Sequence, residues 1–129
     1  MNRAGVVPAD KFDTTAAERA VALGWPGVEP VIPELLEWIR DCNWPVARIL
    51  APFFASIGRP LPPYLRPILE GDDEIWKYWV ISGVLAEAPD EPAEELIPLL
   101  VRFADHSTPS ERTEDLHLAA AAALRRRRD

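Results

Sequence analysis

The chain has 129 residues, 48% hydrophobic and 27% charged, which is the size and composition of one folded domain and excludes wholesale disorder. It carries no apolar run of the roughly 18 residues that span a bilayer, no secretory h-region at its first residues, and a single cysteine, so a cytoplasmic protein without disulfide, cofactor or structural metal is expected. Net charge is −7, but Arg125, Arg126, Arg127 and Arg128 are clustered, and residues 1–124 hold 20 acidic against 10 basic side chains; such a body repels nucleic acid and anionic membrane and suits a basic protein partner.

Residues 1–13 contain Pro8 and no periodicity, and read as an irregular lead-in to one helical domain over 14–129. Thr14 or Thr15 is placed to cap a first helix over 15–23, with Glu18 completing a capping box and Gly24 and Pro26 ending it. Ile32, Leu35, Leu36, Ile39 and Cys42 then fall on one helical face, predicting an amphipathic helix over 31–42, with Glu34, Glu37 and Asp41 opposite. Trp44 and Pro45 restart the chain into a nearly all-apolar helix, Val46 to Ile57, in which Arg48 is the one charge and Pro52 predicts a kink. Tyr64 to Glu70 is a short helix. Asp72 and Asp73 cap a second apolar helix, Ile75 to Ala88, and a further helix is expected from Asp90 or Glu91 to Asp105. Pro109 opens a last, alanine-rich helix to about Arg127. No period-2 β pattern competes, and the fold class is all-α with about seven helices.

Three segments share an apolar-x-Pro-x-Leu pattern, centred on Pro33, Pro67 and Pro98, which stand 34 and 31 residues apart; Trp44 and Trp76, each opening an apolar helix, are 32 apart. A period of this length, built from one amphipathic and one buried helix, is the signature of a helical-pair solenoid, here of HEAT-like type. Pro8-Ala-Asp-Lys-Phe-Asp13, Ile32-Pro-Glu-Leu-Leu-Glu-Trp-Ile39, Asp41-Cys-Asn-Trp-Pro-Val-Ala47 and Trp76-Lys-Tyr-Trp79 together resemble a small bacterial family catalogued as a domain of unknown function, number 5071. The resemblance covers about residues 8–105 and implies a HEAT-like α–α domain. It supplies no catalytic residue and no ligand.

Catalytic patterns are weak. Asp105, His106 and Ser107 are consecutive and cannot converge as a triad; they read as a helix end. The acidic groups Asp72, Asp73 and Glu74, and Asp90, Glu91, Glu94 and Glu95, lack EF-hand spacing and read as helix caps. Cys42 has no neighbouring base and reads as a core residue, His117 has no partner at metal spacing, and the Arg125–Arg128 run complements a helix dipole. The expectation is a non-catalytic helical-repeat module that binds a protein, of the immunity or inhibitor type in its sharpest form. Its docking residues would be Glu34, Glu37, Trp38 and Asp41, an aromatic anchor among carboxylates facing a basic partner. The alternative is a small anionic ligand, or an enzyme-like function, in a pocket around Trp44, Arg48, Trp76 and Trp79. In that region Arg48 is expected to pair with Asp41 or Asp73 unless it reaches solvent or a ligand.

Overall fold

Fourteen prolines and six glycines cut the apolar sequence into short segments, and the helices are correspondingly short. The computed structural model describes residues 4–125, and among these every regular element is helical and no strand forms. The helices are α1 (Thr14–Leu23), α2 (Ile32–Leu36), α3 (Pro45–Ile57), α4 (Pro62–Leu69), α5 (Glu74–Val80), α6 (Ile97–His106), α7 (Pro109–Thr113) and α8 (Leu116–Leu124). Tight 3-10 turns occupy Ala4–Val6, Glu29–Val31, Glu37–Ile39 and Glu94–Leu96, and a π turn, Ile81–Leu85, continues α5.

Apolar side chains of every helix but α7 build a single core. Ile32, Leu35, Leu36, Ile39, Leu50, Phe54, Leu65, Leu69, Ile81, Leu100 and Phe103 are at most 1% exposed. Each contributes on the order of 2 kcal/mol of apolar burial. In the N-terminal half α1 packs on α3, and α3 on the Glu37–Ile39 turn; in the C-terminal half α6 packs along α8. The π turn lies between, touching both α3 and α8. Residues 4–13 are tied down: Val6 is buried, the Ala4–Val6 turn packs on α1, and the Lys11 carbonyl accepts from the Val46 N–H at 3.2 Å.

Several boundaries differ from the sequence reading, each for a local reason. Asp13, not Thr14 or Thr15, caps α1: its Oδ1 accepts from the Ala16 N–H at 3.3 Å while Oδ2 accepts from Ala9 at 3.0 Å. The predicted helix over 31–42 is α hydrogen-bonded only over Ile32–Leu36, flanked by 3-10 turns, and the Leu36 carbonyl accepts the Trp76 indole N–H at 3.1 Å. Helix α3 is amphipathic rather than apolar all round, because Arg48, Pro52 and Ser56 form an exposed stripe, and the N–H that Pro52 lacks falls on the water side. The helix expected from Asp90 or Glu91 begins at Ile97, since Pro89 and Pro92 bias the residues before them away from helix. The last helix is two, α7 and α8, divided where Asp115 adopts φ 60°. Arg125 is the exposed C-cap of α8, and Arg126 to Arg128 lie outside the described residues.

Candidate functional site

The acidic stripe foreseen around the second helix is largely engaged within the protein. Glu34 is exposed. Glu37 meets Arg40 at 3.5 Å, and the Arg40 guanidinium lies 4.7 Å over the Trp76 ring. Asp41 is half-buried and its Oδ1 accepts from the Asn43 N–H at 2.8 Å, closing the turn into α3. Trp38 is half-buried against Trp44, ring centroids 5.9 Å apart and edge to face. Of these four residues, Trp38 and Asp41 make contacts at the α2–α3 junction, while Glu37 makes a local exposed pair.

The alternative group is arranged differently from its expectation. Arg48 is exposed and makes no ion pair among the described residues, so it does not pair with Asp41 or Asp73; Asp73 instead caps α5 by accepting from the Trp76 N–H at 3.0 Å. Trp44 and Trp76 are each committed to a ring or cation contact, and half-buried Trp79 forms a T-shaped pair with Tyr78, centroids 4.9 Å apart. Neither of the two clefts described below is lined by Trp44, Arg48, Trp76 or Trp79. Cys42 is half-buried beside Gly83, and burial together with the Asp41 charge pushes its thiol up to about 11, so it is a protonated packing group at neutral pH.

Two other regions concentrate charge. The first is a cleft of about 740 Å³ between the C-terminus of α3, the start of α4, the π turn and residues 88–95. Its lining includes the buried Phe54, Leu61, Leu65 and Val84, the exposed Asp90, Glu91, Glu94 and Glu95, and Gly58 and Arg59. None of these four carboxylates, nor Arg59, enters an ion pair among the described residues. Asp90, Glu91, Glu94 and Glu95, read as helix caps in the sequence, thus line a cleft. The prolines at 89 and 92 were the available signal against a helix start there.

The second region was missed in the sequence. Lys77, 3% exposed, and Glu111, 4% exposed, are buried polar side chains inside the α5–α6–α7 junction. Lys77 Nζ lies 2.9 Å from Glu74 Oε1 and 3.7 Å from Glu111 Oε2. Arg102 grips Glu111 with two hydrogen bonds, 2.8 and 3.1 Å, the bidentate geometry of a strong charge-assisted pair. Glu111 also completes a capping box with Thr108, whose N–H it accepts at 2.9 Å, and Ser110 donates to Glu74 at 3.0 Å. Both cations pack against the Phe103 ring, Arg102 at 4.5 Å and Lys77 at 5.6 Å. Burial acts to raise the Glu111 carboxyl, yet the Arg102 and Thr108 hydrogen bonds and the Arg102 and Lys77 charges outweigh it and hold it below its ordinary value. Two cations balance two anions here, so the network joins helices and leaves no net charge for a ligand. A cleft of about 490 Å³ opens beside it. Two signals were legible: Lys77 is the lone charge in the run Ile75–Leu85, and Thr108-x-x-Glu111 has capping-box spacing.

Among the described residues no three His, Cys, Asp or Glu side chains converge as metal ligands, and no helix is long and apolar enough to cross a membrane. A comparison with curated proteins returns no match. The model of the family described as a domain of unknown function, DUF5071, matches residues 6–124, and on that extent the chain belongs to this family.

Proposed function

We infer that this chain is a non-catalytic helical module that docks a basic protein partner in the cytoplasm, an immunity- or inhibitor-type role being its sharper form. One observation carries the reading: the acidic surplus is left unneutralised. Among the described carboxylates only Glu37, Glu70, Glu74 and Glu111 enter ion pairs, and most of the others face solvent. Uncompensated surface charge of one sign steers an oppositely charged partner and suppresses like-charged ones. The helical-pair reading belongs to the same proposal. It is supported by Pro33 and Pro98 standing at the first turns of α2 and α6, and by Trp44 and Trp76 at the openings of α3 and α5.

Affinity capture with the natural chain, followed by salt elution, tests this reading. A basic protein retained at low salt and released as salt screens the contact is the expected result. A control with Glu34, Glu37 and Asp41 reversed in charge asks whether the α2 stripe takes part. Unchanged capture by that control removes the stripe from the site, and failure of the natural chain to retain any basic protein removes the docking reading.

A further inference from the structure

We propose that residues 107–115 form a strap, closed onto α5 and α6 by the Glu111 carboxylate, which acid opens without unfolding the core and whose opening uncovers Lys77. The segment reads Ser-Thr-Pro-Ser-Glu-Arg-Thr-Glu-Asp, and Glu111 is its one buried residue. It therefore adds no aliphatic or aromatic side chain to the core, whereas Phe103 and Leu116 on either side of it are 0% exposed. Helices α6 and α8 pack along each other, so both ends of the segment stay anchored whether or not it is attached. Segments with few buried apolar contacts are the ones that open locally, below the free energy of global unfolding.

Among the described residues, the hydrogen bonds and ion pairs from this segment to α5 and α6 run through three side chains. Ser107 donates to the Phe103 carbonyl, Ser110 donates to Glu74 at 3.0 Å, and Glu111 meets Arg102 of α6 and Lys77 of α5. Of the three, Glu111 alone reaches both helices and alone carries charge. Lys77 is shared with Glu74, while α8, which also packs on α7, carries His117 near its start and makes no ion pair with Glu111. Protonation of Glu111 removes the charge that both cations share. Its carboxyl sits below the ordinary value while the strap is closed, so closure is fully favoured above the usual carboxylate range and lost as pH falls through the lowered value. Opening leaves Lys77 with Glu74 alone and Arg102 without a carboxylate. Thr108, Ser110 and Glu111 line the cleft of about 490 Å³ together with Lys77, so lifting them widens the approach to its ammonium. Asp115, at φ 60°, turns the chain from α7 into α8 and serves as the hinge on that side.

Native-state hydrogen exchange on the full chain tests the strap. The Arg112, Glu114 and Asp115 amides donate to the Thr108, Ser110 and Arg112 carbonyls at 2.9, 3.3 and 3.0 Å. At neutral pH their protection should be at least about a hundredfold lower than that of Phe54 in α3 and Ala123 in α8, and independent of sub-denaturing urea. Protection equal to that of the core, falling with urea at the same slope, would make the segment part of the global unit and overturn the proposal. No protection at all would mean that nothing holds it closed. In Glu111→Gln the three amides should lose their protection while Phe54 and Ala123 keep at least about a hundredfold. Retained protection would remove Glu111 as the closure, and joint loss at Phe54 and Ala123 would tie the segment to the core. The natural chain should lose protection at the three amides as pH falls below ~4, after correction for intrinsic rates, and an unchanged value would remove the acid switch. Lys11 and Lys77 are the chain's two lysines, and Lys11 is exposed. Acylation of Lys77 relative to Lys11 at neutral pH should rise at least about tenfold in Glu111→Gln. An unchanged ratio would show that opening does not uncover Lys77.

Discussion

The α5–α6–α7 junction and the α3–α4 cleft are made of the same kinds of residue with opposite outcomes. At the junction Glu111 is 4% exposed, and Glu74, Lys77, Arg102 and Glu111 each have an oppositely charged partner within 4 Å. In the cleft, four exposed carboxylates are among the lining residues and make no ion pair among the described residues. A buried anion must be neutralised by its own protein or it unfolds the site, whereas a solvated one can wait for a partner. Charge that is already satisfied stabilises the fold; charge left over is available for recognition.

That contrast can be broken most forcefully at Glu111. Glu111→Ala removes the anion shared by Lys77 and Arg102 together with half of the capping box, and should destabilise the fold by about 3 kcal/mol. Thermal unfolding would register this as a fall in Tm of roughly 10 °C, and no change would mean the network is solvated. Acid titration of the natural chain gives the next largest effect. The Glu111 carboxyl lies lower in the folded protein than in the unfolded chain, so its stabilisation is fully present above the unfolded value near 4.5 and is lost as pH falls through the folded value. Denaturant midpoints from neutral pH to below pH ~4 should fall, and the fall should be shallower in Glu111→Ala.

A smaller effect is expected on the cationic side. Lys77→Met leaves Glu111 still held by Arg102 and the Thr108 N–H, and leaves Glu74, partly exposed, with its Ser110 hydrogen bond. An aliphatic replacement of similar length should therefore shift stability by no more than about 1 kcal/mol, in either direction. Urea midpoints that placed it level with Glu111→Ala would show that Lys77, not Arg102, anchors the carboxylate. The smallest change belongs to the cleft. Neutralising Asp90, Glu91, Glu94 and Glu95 together should alter stability by under about 0.5 kcal/mol, upward at low salt as repulsion is relieved. A loss of several kcal/mol in calorimetry would mean that these groups hold the fold rather than await a partner.

Helical class was legible because Ile32, Leu35, Leu36 and Ile39 repeat at helical spacing, and all four are buried. Where a helix ends was less legible, because the deciding contacts lie far along the chain. The Leu36 carbonyl accepts from Trp76, 40 residues away, and no local pattern announces it. The same holds for the two charged regions. Lys77 and Glu111 are 34 positions apart, and their meeting depends on how α5 and α7 pack. Asp90 and Glu91 look like caps in isolation, and only the course of the chain to Ile97 makes them lining groups of a cleft. The Glu34–Asp41 stripe was a grouping along one segment of chain, and its internal uses, such as Arg40 lying over Trp76, needed the third dimension.

The π turn at Ile81–Leu85 gives these regions a common mechanical origin. An α-helix advances about 100° of azimuth per residue, and a π turn accommodates one residue more than an α turn does. Everything after it is thereby rotated against everything before it by that single insertion. Lys77 precedes the turn and looks toward α6 and α7, while Val84, Leu85 and Ala88, within or beyond it, line the cleft. Gly83 lies inside the turn, where an added Cβ would come within 3.3 Å of the Cys42 sulfur, so little room exists to slide the phase back. The bulge acts as a fixed gear tooth, setting the angle at which one helix serves an ionic joint at one end and a cleft at the other.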